Sequence, residues 1–190
     1  MIKVIIFDIG GVLVPNLGKY IRSKLKKPYV DEYREYEHDL DSGKITLSKV
    51  EKIIQNKFHE KIELIKVVIE AAKRSKIDKN VKKIILKLRK NHKLVYLSNS
   101  FGEEVLARKK QHIYDFFLFG IDSYKVKLRK PDSKIYKLML KKLKIRAKYC
   151  LFIDDRKKNV KAAKKLGINA IHFKNSKKLI KKLRKFNIEI

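Results

Sequence analysis

The sequence predicts an α/β fold, a parallel sheet core with a small helical segment inserted after its first strand. Three apolar runs point to it: KVIIF (3–7), KLVYL (93–97) and YCLFI (149–153). They are rich in branched and aromatic residues and show no polar alternation, as strands covered on both faces should. Each ends in polar residues, DIGG, SNS and DDR respectively, and helical patterns lie between them. Strands alternating with helices call for a parallel sheet with crossover connections.

The elements follow in order. KVIIF delivers Asp8 and two glycines to its end. The stretch 15–77 contains no convincing strand, but LSKVEKIIQNKF (47–58) and IELIKVVIEAAK (62–73) carry apolar residues at helical spacing. We read 15–77 as a helical cap and 1–14 with 78–190 as the core. A helix should start at Asp78, with Val81, Ile84, Ile85 and Leu88 on one face. Another should start near Pro131 to Ser133, with Ile135, Leu138 and Met139. A third should run from Asp155 to a terminating Gly167. Parallel strands bring Asp8, Ser98 and Asp154 to one edge of the sheet, where open α/β sheets bind ligands. The cap follows directly on the first strand's loop, so it should stand over that edge as a lid.

Composition narrows the class. The chain has 190 residues, 44% of them apolar, enough for a sizeable core. No apolar run is long enough to span a bilayer, and the start MIKVIIFD lacks the pattern of an export signal, so the expectation is a cytoplasmic protein without a membrane partner. The single Cys150 lies in an apolar run and reads as a core thiol, and the five histidines show no metal-ligand spacing. A formal charge of +30 draws in anions, either nucleic acid or a small phosphorylated molecule. The basic residues are spread along helices, as in 156–165 and 177–185, and no nucleic-acid motif accompanies them. Solvated helix faces are therefore the preferred reading over a nucleic-acid surface. Oligomeric state is left open.

A lone aspartate at a strand end could simply cap a turn. Asp8 is accompanied, in fixed order, by Ser98 and Asn99 after the second run, Lys130 before Pro131, and Asp154 with Asp155 after the third. Carboxylates on neighbouring strand ends can hold a hard cation such as Mg²⁺. A lysine and a hydroxyl can orient a phosphoryl group, and one carboxylate stays free to attack phosphorus. Together these make a phosphoryl-transfer site.

The stretches FDIGGVL (7–13), LSNS (97–100), RKPDSKIY (129–136) and IDDRKKNVKAAKKLGI (153–168) resemble the haloacid dehalogenase superfamily of hydrolases. The closest look is to the branch with a helical cap after strand one, and SGKIT (42–46) resembles a turn seen there. The resemblance implies a Rossmann-like core, an aspartyl-phosphate intermediate and Mg²⁺. Asp8 would be the nucleophile and a metal ligand, with the Gly10 carbonyl as a second ligand. Ser98 and Asn99 would hold the phosphoryl oxygens, and Lys130 would offset the charge gathered there. Asp154 would ligate Mg²⁺ directly, and Asp155 directly or through water.

One departure matters. Phosphatases of this superfamily usually carry an acidic residue two positions after the nucleophile, as proton donor to the leaving oxygen, and this chain has Gly10. Losing a general acid forfeits about 10²- to 10⁴-fold for poor leaving groups. Three readings remain, in order. The first is a Mg²⁺-dependent phosphatase of a small phosphorylated metabolite such as an anomeric sugar phosphate. The second is a 2-haloacid dehalogenase, and the third a non-catalytic basic binding protein. Adjacent Asp154 and Asp155 would repel an anionic haloacid, which favours the phosphatase.

Overall fold

The structure, a computed structural model, describes residues 1–190. The chain begins with β1 (Val4–Phe7) and then runs through four helices, α1 (Leu17–Lys24), α2 (Tyr29–Asp41), α3 (Leu47–Phe58) and α4 (Leu64–Arg74). After α5 (Lys79–Leu88) come β2 (Lys93–Ser98), α6 (Gly102–Lys109), β3 (Gly120–Asp122), α7 (Ser123–Val126) and α8 (Ser133–Leu143). The chain closes with β4 (Cys150–Asp154), α9 (Lys157–Lys165), β5 (Asn169–His172) and α10 (Ser176–Arg184). All five strands are parallel, in the order β3-β2-β1-β4-β5. This is a Rossmann-like α/β sheet, wound outward in both directions from β1.

Strand geometry explains the unbroken apolar runs. Alternate side chains leave a strand on opposite faces. Ile5, Phe7, Leu94, Tyr96, Leu151 and Ile153 pack on one face with Val81, Ile84, Ile85 and Leu88 of α5 and with Leu179 and Leu183 of α10. Val4, Ile6, Val95, Leu97 and Phe152 pack on the other with Ile135 and Met139 of α8 and with Val160 and Ala163 of α9. Helices on both faces are what keep polar residues out of the strands. Cys150 belongs to the second cluster, fully buried, and burial pushes its thiol up to about 11.

Helices α1 to α4 assemble a third apolar cluster around Leu17, Ile21, Tyr33, Leu40, Leu47, Val50, Ile54, Leu64 and Val68, to which α6's neighbour Phe101 also belongs. Local signals set the helix ends. Thr46 accepts a hydrogen bond from the Lys49 N–H and starts α3, and Asp78 accepts from Asn80 and Val81 and starts α5. The inserted helices are tied to the core at the end of α2. The Asp41 carboxylate is 2.8 Å from the Arg129 guanidinium, and the Ser123 hydroxyl donates to the Asp41 carbonyl. Gly43, with φ +66°, lies so close that a Cβ there would be 2.3 Å from the Tyr124 carbonyl.

The expected runs and the observed strands differ by one residue at their ends. β2 extends through Ser98, and β4 runs from Cys150 through Asp154. Two further strands, GID in β3 and NAIH in β5, complete the edges; at three and four residues they are too short to show a period. The basic residues expected on helix faces are there: Lys157, Lys158, Lys161, Lys164, Lys165, Lys177, Lys178, Lys181, Arg184 and Lys185 are exposed, while Arg156 and Lys182 are half-buried. No helix is long and apolar enough to cross a membrane.

Candidate active site

Pairing of Phe7 with Ile153 puts the next residues of β1 and β4, Asp8 and Asp154, side by side at the carboxyl edge of the sheet, and the Asp8 N–H donates to the Ile153 carbonyl at 2.8 Å. Lys130 arrives from the opposite side, across β2. Its ammonium is 2.9 Å from Asp8 Oδ1 and 2.8 Å from Asp154 Oδ2, and it donates to the Leu97 carbonyl at 2.7 Å. It is entirely buried. Two hydrogen bonds and an ion pair with Asp8 surround the ammonium, so Lys130 is committed to this place. Asn99 holds the backbone that carries it: its side chain donates to the Lys130 carbonyl at 3.0 Å and accepts from the Lys130 N–H at 2.8 Å.

Two carboxylates and one ammonium in a water-poor place perturb one another. Burial drives the Asp8 carboxyl well above the ordinary carboxylate range, against the pull of Lys130. Burial also acts to raise Asp154, but Lys130 and the hydrogen bonds outweigh it and hold Asp154 low. The bonds that lower it include those from Lys130 and from the Arg156 N–H at 2.7 Å, and the Asn159 amide also meets each Asp154 oxygen at 3.0 Å. Burial opposes the charge on Lys130, yet the two aspartates keep its pKa raised. Asp155 is raised by burial and by its neighbour Asp154.

Carboxylate oxygens of Asp8, Asp154 and Asp155 all lie within 4.8 Å of one another. Asp155 Oδ1 is buried without a hydrogen-bond partner. Asp8 Oδ1 takes the Ile9 N–H at 2.7 Å as well as Lys130, which leaves Oδ2 of Asp8 uncommitted. Gly11, at φ +82°, makes this crowding feasible, since a Cβ there would fall 2.4 Å from Asp155 Oδ2. Hard oxygen donors that repel one another, one of them orphaned, suit a small divalent cation.

A cavity of about 80 Å³ opens above this edge, lined by Asp8, Gly10, Asn99 and Lys130 from the sheet side and by Tyr33, Glu37 and Asp41 from the inserted helices. Among the residues expected at the site, Asp154 and Asp155 join the carboxylate cluster without lining the cavity, and Ser98 does neither. It is 1% exposed, its hydroxyl donates to the Asn99 carbonyl at 3.4 Å, and it does not line the cavity. Four further residues bear on the site without having been expected there. Asn159 grips Asp154, Arg129 pairs with Asp41, and Glu104 and Arg108 of α6 line the cavity as a buried pair, 2.7 Å apart. Asn159 follows Asp154 by five residues, and Glu104 precedes Arg108 by four, but spacing alone does not separate such pairs from surface ones.

A doubly wound parallel sheet with a lysine-bridged carboxylate pair at the ends of its central strands defines an α/β enzyme with its chemistry at the switch between β1 and its neighbours. Residues 2–167 match the haloacid dehalogenase-like hydrolases, and the chain belongs to that family. It is similar over 90 residues, at 30% identity, to bifunctional epoxide hydrolase 2 of Rattus norvegicus, covering 47% of this chain and 16% of that protein. It is also similar over 62 residues, at 37% identity, to flavin mononucleotide hydrolase 1 of Arabidopsis thaliana, covering 33% of this chain and 25% of that one. The chain thus matches a quarter or less of the length of these two relatives. Among solved structures, a haloacid dehalogenase family enzyme of Bacteroides thetaiotaomicron, crystallised as a mutant with magnesium and inorganic phosphate, superposes with a TM-score of 0.77 at 25% identity, covering 92% of this chain and 95% of that one. The L-2-haloacid dehalogenase of Xanthobacter autotrophicus shares the fold, with a TM-score of 0.65 at 18% identity, over 90% of this chain and 76% of that one.

Proposed function

We propose that this hydrolase is a Mg²⁺-dependent phosphatase of a small phosphorylated metabolite, working through an aspartyl-phosphate on Asp8. The observation that carries the reading is the cluster of Asp8, Asp154 and Asp155 within 4.8 Å, with Asp155 Oδ1 orphaned and Asp8 bridged to Asp154 by Lys130. The magnesium and inorganic phosphate in the structure of the Bacteroides relative, and the hydrolysis of a mononucleotide named for the Arabidopsis relative, lend it support.

Asp8, Asp154, Asp155 and the Gly10 carbonyl would hold the cation. Bound there, Mg²⁺ would offset the charge of the phosphoryl oxygens and allow a carboxylate and a phosphate to approach. Asp8 would attack phosphorus while the Ile9 N–H and Lys130 fix its other oxygen; Lys130 would also share the phosphoryl charge. Asn99 keeps Lys130 in register through its two bonds to that residue's backbone. Lys130 and the Arg156 N–H keep Asp154 ionised, and Asn159 holds its two oxygens in place. Water would then attack the acyl phosphate and restore Asp8. In this reading 15–77 is the cap that closes the cavity over the core segments 1–14 and 78–190.

Turnover of a phosphate ester should disappear in excess chelator and in Asp154→Asn, and rapid acid quench should leave a phosphoryl group on Asp8 detectable by mass spectrometry. Full turnover in chelator would overturn the metal-dependent reading.

A further inference from the structure

The site lacks an acid two positions after Asp8, yet a poor leaving group needs its developing negative charge stabilised in some way. The space beside Gly10 contains a different group. A Cβ built on Gly10 would lie 3.4 Å from a terminal nitrogen of Arg108, and no other heavy atom comes within 4 Å of it. Arg108 is 1% exposed and lines the cavity. Both its terminal nitrogens are buried without a hydrogen-bond partner. Glu104 Oε1 is 2.7 Å from the nitrogen that faces Gly10 but makes no hydrogen bond with it, so the pair is electrostatic.

Buried guanidinium groups are almost never left with unpaired donors, because each unmade hydrogen bond carries its full desolvation cost. Of the other cavity cations, Lys130 is held by Asp8, Asp154 and Leu97 and Arg129 is paired with Asp41, and Arg156 is only half-buried, so Arg108 is the fully buried cation with unpaired terminal donors. Arg108 is held by Glu104 at the same terminal nitrogen that lies beside Gly10, and burial raises the Glu104 carboxyl to about 7 against the pull of Arg108. Its charge is thus balanced within the wall, and the nitrogen that meets Glu104 also borders the space next to the nucleophile loop.

We propose that Arg108 is a catalytic residue that donates N–H hydrogen bonds to the leaving oxygen, in place of the acid missing at Gly10. This rests on the phosphatase reading. As Asp8 forms its bond to phosphorus, the bond from phosphorus to the ester oxygen breaks and its electron pair stays on that oxygen. Arg108 stabilises the resulting alkoxide without giving up a proton, since a guanidinium is too weak an acid to do so. Water supplies the proton after cleavage. Stabilisation of this kind acts only where charge develops, so its value grows with the basicity of the leaving group.

The test compares an alkyl phosphate, propyl phosphate, with an aryl one, 4-nitrophenyl phosphate, both with Mg²⁺, in the wild type, Arg108→Gln and Arg108→Lys. The alkyl-to-aryl ratio of kcat/KM should fall by about 100-fold in Arg108→Gln, the scale of losing one oxyanion donor. Arg108→Lys keeps the charge and most of the volume, so it guards against a folding defect; its ratio should lie between the other two. Equal losses on both esters, or none on either, in a variant that melts like the wild type would overturn the role of Arg108 and leave the phosphatase standing. A wild type that hydrolyses neither ester would overturn both.

Discussion

Position 10 shows how much a single missing side chain leaves to its neighbours. From the sequence alone, restoring an aspartate there looks like restoring an acid. In the structure the new carboxylate would meet Arg108, whose nitrogen is 3.4 Å from the Cβ position, and would form an ion pair with it instead of reaching the leaving oxygen. Gly10→Asp should therefore fold normally and hydrolyse propyl phosphate about 10-fold more slowly or worse, because the pair ties up the donors. A faster rate in that variant would mean the aspartate bypasses Arg108. Residues whose chemistry admits few alternatives were legible in the sequence: a carboxylate closing a buried strand, as at Asp8 and Asp154, or a lysine fixed before a proline, as at Lys130. Arg108 was not. It is one of 50 basic residues, and in GEEVLARK it reads as half of an ordinary surface i,i+4 pair. Its burial comes from tertiary packing, with the nucleophile loop against its head group, which a local pattern does not record.

At the scale of elements, period and capping chemistry carried furthest. The pattern LSKVEKIIQNKF coincides with α3, residue for residue, because Thr46 supplies the cap and the apolar stripe runs to its end. The edge strands β3 and β5 escaped notice since their place is set by pairing with β2 and β4, which a local pattern does not record. The turn after α2 shows the same dependence. SGK looks like a simple reversal, but Gly43 adopts φ +66° with the Tyr124 carbonyl against it, between the Asp41–Arg129 pair and the Ser123 hydroxyl. A methyl group there is strained by both backbone conformation and contact. Gly43→Ala should cost about 1–3 kcal/mol, read as a fall in the melting temperature of roughly 2–4 °C per kcal/mol for a chain of this size. An unchanged melt would show that the inserted helices can shift on the core without penalty.

Across the whole molecule, charge is sorted by depth. The surplus that makes up the +30 lies on exposed helix faces, where it is solvated and screened. The buried cations are few, and each is placed against a carboxylate: Lys130 between Asp8 and Asp154, Arg108 beside Glu104. The net charge of the sequence therefore said little about the site, whose own balance of acidic and basic groups is close to even. Overall charge bears on how anions arrive, and the few interior pairs on what happens to them.

Cys150 opens β4, paired with Val4 of β1 and packed on α8 and α9's side of the sheet, and it is the chain's sole thiol. With burial complete and its pKa near 11, it cannot meet a reagent in water while the strands stay joined. Exposing the sulfur means parting the sheet at its centre. A disulfide reagent added to the native protein should thus colour only as fast as the molecule opens, with one equivalent released per chain and no fast phase. The protein carries its own clock for that event, and Gly43→Ala should make it run faster if the inserted helices and the sheet come apart together.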